Sequence, residues 1–227
     1  MNPMKSSAPL VKMIQTVFFD LDGTLIDTEP AAAQAASQCC KEWGVEIEIE
    51  DASFVTGRTW KVAFDYLFGK YPIPVSREQA VQQVMSRYRA ALKKNLVIVP
   101  GGAEAIRAIA PHCKLGLLSG SGRAEVLWAL DELGVRDFFS VILGAEDYPQ
   151  SKPAPDGYLK ALELLHADSA TTLVFEDSTA GIASARAAGL WVVAITGTNH
   201  FKQDLSQAHA SIPDLRGVDW QWVQEFF

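Results

Sequence analysis

Short apolar runs alternate with stretches of helical spacing along much of the chain. The apolar runs predict buried strands at residues 17–19, 115–118, 141–143, 172–175 and 191–195. The spacing of apolar residues near 3.6 predicts helices at residues 103–110, 123–133, 156–166 and 179–188. Gly134 and Gly189 lie where helix C-caps are expected. Because strands and helices alternate, the pattern predicts an α/β core with a parallel sheet and helices on both faces.

Residues 30–98 interrupt this alternation with a stretch rich in helix formers. Helices are predicted at residues 31–43, 59–68 and 77–94, and Pro72 and Pro74 break the chain between the second and third. The segment therefore predicts a helical insertion at 30–98 within a core formed by 14–29 and 99–227. Residues 1–13 are expected to form a flexible terminus.

The first predicted strand ends in two acids. Asp20 and Asp22 follow the run Val17–Phe19, and Gly23 permits a tight turn or a close approach to a ligand. The carboxyl ends of strands in an open α/β sheet are where ligands bind. Ionised carboxylates there are costly unless a cation pairs with them, although an Asp-Gly pair alone is also a common turn signal.

Three further segments place polar groups after predicted strands or in a rigid loop. They are Ser119-Gly120-Ser121-Gly122, Ser151-Lys152-Pro153 and Glu176-Asp177-Ser178. Taken singly, each has an ordinary explanation: an exposed loop lysine, or helix N-caps, with Ser121 predicted to cap the helix that begins at Arg123. Together and in this order, with the first acidic segment, they resemble the haloacid dehalogenase-like hydrolase superfamily, which consists mostly of phosphatases. The resemblance extends from about Thr16 to beyond Ile195.

The resemblance implies a Rossmann-like three-layer core with an inserted α-helical cap, and a Mg²⁺-dependent covalent mechanism. Asp20 would be the nucleophile that forms an aspartyl-phosphate, and Asp22 the general acid and base. Mg²⁺ suits a site with few carboxylates and a substrate phosphate. By resemblance its ligands are Asp20, the backbone carbonyl of Asp22, Asp177, and Glu176 either directly or through water.

The same resemblance assigns the binding of the phosphoryl oxygens to Ser119, Gly120 and Lys152, where they would offset the charge of the transition state. Thr24 is close enough in sequence to orient one of the acids. Asp27 has two open interpretations, stabilisation of the loop or a part in catalysis.

Selection of the substrate is expected from the cap. The loop glycine of the family corresponds to Gly57, and the candidate substrate contacts beside it are Arg58, Trp60 and Lys61. The basic residues are suited to a second anionic group, and Trp60 to a sugar or ring. An alternative stays open, because Trp60 and Phe64 are spaced to pack as one face of a helix.

Hydrolysis is favoured over the other reactions of the superfamily. Asp22 stands where dehalogenases lack an acid and where phosphonate-cleaving members usually differ. Phosphoglucomutase-like relatives typically carry a cap histidine where this chain has Ala32, and an arginine where it has Trp60. Intramolecular phosphoryl transfer and a catalytically silent metabolite-binding module remain the alternatives. The serine-hydrolase elbow and the P-loop pattern are both missing from the sequence.

Composition narrows the partners and the compartment. The formal net charge is −7, and no basic patch suggests nucleic acid. Cys39, Cys40 and Cys113 are odd in number, which favours reduced thiols and a cytoplasmic protein. No segment is long and apolar enough to suggest a membrane partner. The expected partner is a small phosphorylated metabolite, with sugar phosphates favoured, bound by a monomer or small homo-oligomer.

Overall fold

The computed structural model of the chain describes residues 13–54 and 60–226. Within these residues a parallel sheet contains the strands β1 (Thr16–Phe19), β2 (Lys114–Leu118), β3 (Val141–Leu143), β4 (Thr172–Glu176), β5 (Trp191–Ile195) and β6 (Ala210–Ile212). Their order is β3-β2-β1-β4-β5-β6, and every neighbouring pair is parallel. The predicted α/β fold class is confirmed.

The described helices are α1 (Glu29–Glu42), α2 (Ile49–Ser53), α3 (Trp60–Lys70), α4 (Arg77–Lys94), α5 (Gly102–Ile109), α6 (Arg123–Glu132), α7 (Asp156–Leu165), α8 (Thr179–Ala187) and α9 (Trp220–Glu225). The sequence pattern did not predict α2, α9 or β6. Helix α2 has 5 residues, too few to establish a helical period, and β6 has the sequence Ala-Ser-Ile, which lacks the continuous apolar run that identified the equally short β3. The predicted start of α3 at Thr59 lies outside the described residues.

Alternation of side chains along the central strands produces the three layers. Val17 and Phe19 of β1 pack into one apolar cluster with helices α5, α6 and α9, whereas Phe18 packs into a second cluster with α7 and α8. All four residues of β1 are buried, as expected for a strand covered by helices on both faces. The sheet is therefore the middle layer of a Rossmann-like core.

A third apolar cluster lies inside the helical cap, which we define as helices α1 to α4. Residues such as Cys39, Phe64, Leu67 and Val84 pack in it without joining the two clusters of the core. Helix α4 begins with a capping box, in which the Ser76 hydroxyl accepts a hydrogen bond from the Gln79 amide at 3.2 Å. The cap thus has an apolar interior of its own.

The chain leaves the core and returns to it along adjacent paths. The Asp27 amide donates to the Val97 carbonyl at 2.8 Å, and the Val99 amide donates to the Leu25 carbonyl at 2.9 Å. Two hydrogen-bonded segments therefore join cap and core beside the first acidic turn. Over the part of the chain that the structure describes, helices fall short of the length and apolarity needed to cross a membrane.

Candidate active site

The central strands bring three sequence-distant segments to one edge of the sheet. β1 pairs with both β2 and β4, so the residues after these strands are neighbours. The Asp20 amide continues the pairing by donating to the Phe175 carbonyl at 3.0 Å. Gly23 then turns the chain with φ of +85°, and a Cβ atom at this position would lie 1.9 Å from Asp177 Oδ2. A side chain at position 23 would therefore displace the Asp177 carboxylate.

Three buried carboxylates lie at this edge. Single oxygens of Asp20, Glu176 and Asp177 are all within 4.8 Å of one another. The Lys152 ammonium lies among them, with Nζ 2.6 Å from Asp20 Oδ1 and 2.5 Å from Glu176 Oε1. The Lys152 side chain is only 3% exposed, so these charges interact in a largely dry environment. Acidic groups outnumber the basic group three to one in this cluster.

Burial governs the protonation of the cluster. Desolvation raises the pKa of Asp20 well above its usual value, and the neighbouring Lys152 lowers it only in part. Desolvation likewise raises the pKa of Asp177, with repulsion from Glu176 and Asp20 adding to the effect. Burial acts to lower the pKa of Lys152, but attraction by Asp20 and Glu176 outweighs it and the pKa is raised. Lys152 therefore stays protonated, but its single positive charge does not balance the three acids around it.

The acidic oxygens have the chemistry of a site for a hard divalent cation. Carboxylates are the protein ligands that Mg²⁺ prefers, and it needs few of them. Asp20 and Asp177 are best placed, because Asp177 accepts within the described residues only a long bond from the Thr24 hydroxyl, 3.4 Å from Oδ1. Burial is the main reason that the pKa of both acids is raised, with repulsion between the acids adding to it, and a bound cation would counter both effects.

Glu176 is more fully engaged than the other two acids. Its Oε2 accepts from the Asp177 amide at 3.0 Å, and from the amide and hydroxyl of Ser178 at 3.0 and 3.1 Å. Its Oε1 accepts from Lys152 and, at 3.4 Å, from the Tyr158 hydroxyl. Glu176 therefore fixes the position of Lys152 in this arrangement.

Asp22 lies outside the acidic cluster and is surrounded by hydroxyl groups. The hydroxyls of Ser119 and Ser121 both donate to its Oδ2 at 2.8 Å. The hydroxyls of Thr28 and Tyr88 donate to its Oδ1 at 3.0 and 3.3 Å. The two aspartates of the first turn thus have different surroundings, one with an ammonium and acids, the other with neutral donors.

The segment after β2 corrects one prediction. Ser121 was expected to cap α6, but Gly122 is the N-cap residue and makes no side-chain cap bond. Because Ser121 directs its hydroxyl at Asp22, it belongs to the site instead. Ser119 is fully buried, and its hydroxyl accepts from the Ser121 amide at 2.9 Å. The N-cap residue of helix α8 is Ser178, whose hydroxyl accepts a hydrogen bond from the Gly181 amide at 3.0 Å. Glu176 and Asp177 therefore do not cap this helix.

A cleft of about 850 Å³ opens between the cap and the core beside this site. Gly120 and Lys152 line it from the core, and Trp60, Lys61, Met85 and Arg89 line it from the cap. Both interpretations of Trp60 therefore fit its position, since it faces the cleft and also packs 6.0 Å from the Phe64 ring, centroid to centroid. Arg58 lies outside the described residues.

The cleft's basic residues already have partners on the protein. Lys61 pairs with Asp65 at 2.9 Å, and the Arg89 guanidinium donates to Glu125 of α6 through Nε at 2.6 Å. Asp27 pairs with His200, with His200 Nε2 2.7 Å from Asp27 Oδ2, which agrees with a role in the loop.

The sequence did not identify Thr28, Tyr88 or Tyr158 as residues of the site. Thr28 is six positions after Asp22 and could have been suspected from its place in the same turn. Tyr88 is 66 positions away on a helix whose spacing only indicated an apolar face. Tyr158 is fully buried on α7 and has the same sequence appearance as an ordinary core tyrosine.

Comparison with known proteins agrees with this geometry. The family model described as haloacid dehalogenase-like hydrolase matches residues 17–195. The chain is 33% identical to Protein CbbY from Rhodobacter capsulatus, over 93% of this chain and 98% of that protein. It is 30% identical to validoxylamine A 7'-phosphate phosphatase from Streptomyces hygroscopicus subsp. limoneus, over 93% of this chain and 99% of that protein.

Two further similarities concern length and fold. The chain is 28% identical to the bifunctional riboflavin kinase/FMN phosphatase of Arabidopsis thaliana, covering 96% of this chain but only 58% of that protein. The crystal structure of β-phosphoglucomutase from Clostridium difficile matches with a TM-score of 0.79 and 24% identity, over 94% of this chain and 97% of that one. The structural likeness supports the same fold of core and cap.

Proposed function

The chain belongs to the haloacid dehalogenase-like hydrolase family, and we propose that it hydrolyses phosphate monoesters of small metabolites in a Mg²⁺-dependent reaction. The observation that carries this proposal is the contrast between the two aspartates of the first turn. Asp20 lies in a buried acidic cluster with Lys152, whereas Asp22 lies among hydroxyl donors at the edge of that cluster. Such a pair suits a nucleophile and a separate proton donor.

The acidic cluster fits Mg²⁺. We propose that Asp20, Asp177 and the backbone carbonyl of Asp22 hold the ion, and that Glu176 reaches it directly or through water while it anchors Lys152. The bound ion would offset the repulsion between the nucleophilic carboxylate and the phosphoryl oxygens.

The chain's own groups can then carry both half-reactions. A carboxylate oxygen of Asp20 attacks phosphorus, the ester P–O bond breaks, and Asp22 gives its proton to the leaving oxygen. A water molecule next loses a proton to Asp22 and attacks phosphorus, so that the bond to Asp20 breaks and inorganic phosphate leaves. Asp22 ends protonated and Asp20 ends as the free carboxylate.

We propose that three groups bind the phosphoryl oxygens through these steps. We assign this role to Ser119, Gly120 and Lys152, of which Gly120 and Lys152 border the cleft. Lys152 is held at Asp20 Oδ1, where the transferring group would arrive, and its ammonium offsets charge that develops on the phosphoryl oxygens.

Sugar phosphates are the favoured substrates. A cleft of about 850 Å³ is large enough for a phosphorylated sugar. The Streptomyces relative is named as a phosphatase of a phosphorylated small molecule, validoxylamine A 7'-phosphate. Trp60, Lys61 and Arg58 are the proposed cap contacts, with Trp60 and Lys61 bordering the cleft.

The organisation of the chain follows from the same proposal. We assign residues 14–29 and 99–227 to the catalytic core and residues 30–98 to the cap, which selects the substrate and excludes water when it closes. The three cysteines are free thiols, which supports a reducing, cytoplasmic compartment. We also propose that the protein is a monomer or small homo-oligomer and that it binds a phosphorylated metabolite rather than nucleic acid.

Hydrolysis is favoured over transfer of the phosphoryl group within a sugar. Ala32 at the start of the cap is buried and offers no side chain that could exchange a proton with a sugar hydroxyl. Analysis of products distinguishes the two reactions, because a hydrolase releases inorganic phosphate and a mutase yields an isomeric sugar phosphate.

Phosphate release from a panel of substrates tests the proposal. Sugar phosphates, nucleotides, phosphorylated acids and pyrophosphate are each incubated with Mg²⁺, with a chelator, and with the Asp20→Asn protein. We expect turnover of a monoester that requires the metal and falls by about 10³-fold or more in Asp20→Asn.

The matched control is Asp131→Asn, which makes the same change at an exposed acid paired with Arg136 on the far end of α6. It should retain the wild-type rate. Activity that survives Asp20→Asn would overturn the assignment of the nucleophile. Binding of a metabolite without any Mg²⁺-dependent turnover, and without an effect of Asp20→Asn, would favour the silent binding module.

A further inference from the structure

We infer that Tyr88, a residue of the cap, is a positioning residue that orients Asp22 for proton transfer, an inference that rests on the proposed function. Tyr88 lies on helix α4, and its hydroxyl donates to Asp22 Oδ1 at 3.3 Å. The side chain is only 3% exposed. Buried hydroxyl groups are costly without a hydrogen-bond partner, and the contact with Asp22 satisfies the Tyr88 hydroxyl as a donor.

The two oxygens of Asp22 are held in different ways. Oδ2 accepts from Ser119 and Ser121, which follow β2 at the proposed phosphate site. Oδ1 accepts from Thr28 and Tyr88, on the side of the cap. The four donors therefore divide evenly between a pair that substrate would approach and a pair that it would not.

This division determines which oxygen handles the proton. When a phosphoryl oxygen of the substrate accepts the Ser119 hydroxyl, Oδ2 loses a donor and becomes available to carry a proton to the leaving oxygen. Oδ1 keeps Thr28 and Tyr88, so the plane of the carboxyl group stays defined during the transfer. Correct orientation of the acid matters because a misplaced group loses much of its catalytic effect.

Tyr88 also connects the acid to the cap. Its ring packs edge-on against Trp60, a residue that lines the cleft, at 5.3 Å between centroids. The next residue, Arg89, reaches from α4 to Glu125 of the core helix α6. Docking of α4 on the core and orientation of Asp22 therefore occur together, so the proton donor is fully held only when the cap is in this position.

Comparison of two leaving groups tests the inference with Tyr88→Phe, which keeps the packed ring and removes the hydroxyl. The substrates are the sugar phosphate that the wild-type enzyme cleaves fastest and p-nitrophenyl phosphate, whose leaving group departs without a proton. The parameter is kcat/KM, which reports the steps up to cleavage of the ester bond. We expect about a tenfold fall for the sugar phosphate, as for a lost hydrogen bond to the carboxylate that forms as Asp22 gives up its proton, and less than about twofold for p-nitrophenyl phosphate.

Tyr66→Phe is the matched control. Its hydroxyl also donates to a buried aspartate of the cap, Asp51, at 2.5 Å, and Asp51 is not one of the acids of the acidic cluster. We expect no change in the ratio of the two kcat/KM values. Thermal melts of all variants check that the fold is retained.

Thr28→Val is the second variant, because it removes the other donor to Oδ1. It should show the same selective loss toward the sugar phosphate. An equal loss toward both substrates in either variant would overturn the positioning role while leaving the phosphatase intact. Failure of the wild-type enzyme to cleave either ester with Mg²⁺ would instead overturn the proposed function itself.

Discussion

Replacement of Lys152 with methionine removes the ammonium group that lies between Asp20 and Glu176. Methionine retains an unbranched side chain of similar length, so the change is mainly electrostatic. The substitution leaves two carboxylates without their ammonium partner, and both are nearly inaccessible to solvent, with side-chain exposures of 6% for Asp20 and 0% for Glu176. Removal of one partner from a buried ion pair costs about 3–5 kcal/mol, because the remaining charge is neither solvated nor paired.

Two features of the site set the expected value within that range. Loss of the ammonium affects two carboxylates, which favours the upper end, but Glu176 keeps three donors on its other oxygen. Asp20 can also relieve the cost by taking a proton, since burial already raises its pKa. We therefore expect a decrease of about 4 kcal/mol in the free energy of unfolding near neutral pH, and a smaller decrease in acid.

The sign of the pH dependence follows from linkage. A carboxyl group whose pKa is higher in the folded state than in the unfolded state binds more protons when folded, so its ionisation destabilises the fold as pH rises. Without Lys152 the pKa of Asp20 would rise further, and the difference between variant and wild type should widen from acid toward neutral pH.

Urea denaturation with a chelator present measures the effect, and the series is repeated with Mg²⁺. The cation should restore part of the lost stability, because binding to the folded acidic cluster favours that state. The control is Lys61→Met, the same substitution at a side chain that is 84% exposed and paired with Asp65, which should change stability by less than about 1 kcal/mol. A loss below about 1 kcal/mol for Lys152→Met in chelator would refute the reasoning.

Two further predictions address the turn and the cap. Gly23→Ala should lower Mg²⁺-dependent activity by about 100-fold and destabilise the fold by about 1–3 kcal/mol, because φ is +85° and the new Cβ would lie 1.9 Å from Asp177 Oδ2. Activity followed across a Mg²⁺ titration measures the first effect together with the metal affinity, and unfolding measures the second; an unchanged metal affinity would contradict the role of Asp177. Asp51→Asn should destabilise the cap by about 1–3 kcal/mol, since hydrogen bonds from a lysine and two tyrosines lower the pKa of Asp51 to about 2. The stability that ionised Asp51 supplies is present above its unfolded pKa, near 3.8, and is lost as pH falls through about 2, so acid titration of wild type and variant should converge there.

The elements of the core could be read from local patterns. Short continuous apolar runs and helices with a period near 3.6 are properties of neighbouring residues, so the pattern predicted β1 to β5 and the helices between them. The side chains after β1, β2 and β4 were also predictable as a group, because parallel strands bring their carboxyl ends to one edge. Helix α2 and strand β6 could not be predicted, since α2 has too few residues to show a helical period and the serine in Ala210–Ile212 interrupts the apolar run.

By itself, the sequence determined the order of the strands along the chain, the helical insertion, the acids and serines that follow strands, and the lysine in a proline-containing loop. The tertiary structure alone decided how these groups pair: Lys152 with Asp20 and Glu176, Ser121 with Asp22 rather than with the end of α6. It also decided that Tyr88 of the cap contacts Asp22, across 66 positions of sequence. The physical reason is that local spacing sets which face of an element is apolar, whereas the partner of a polar group depends on which elements pack together and how closely.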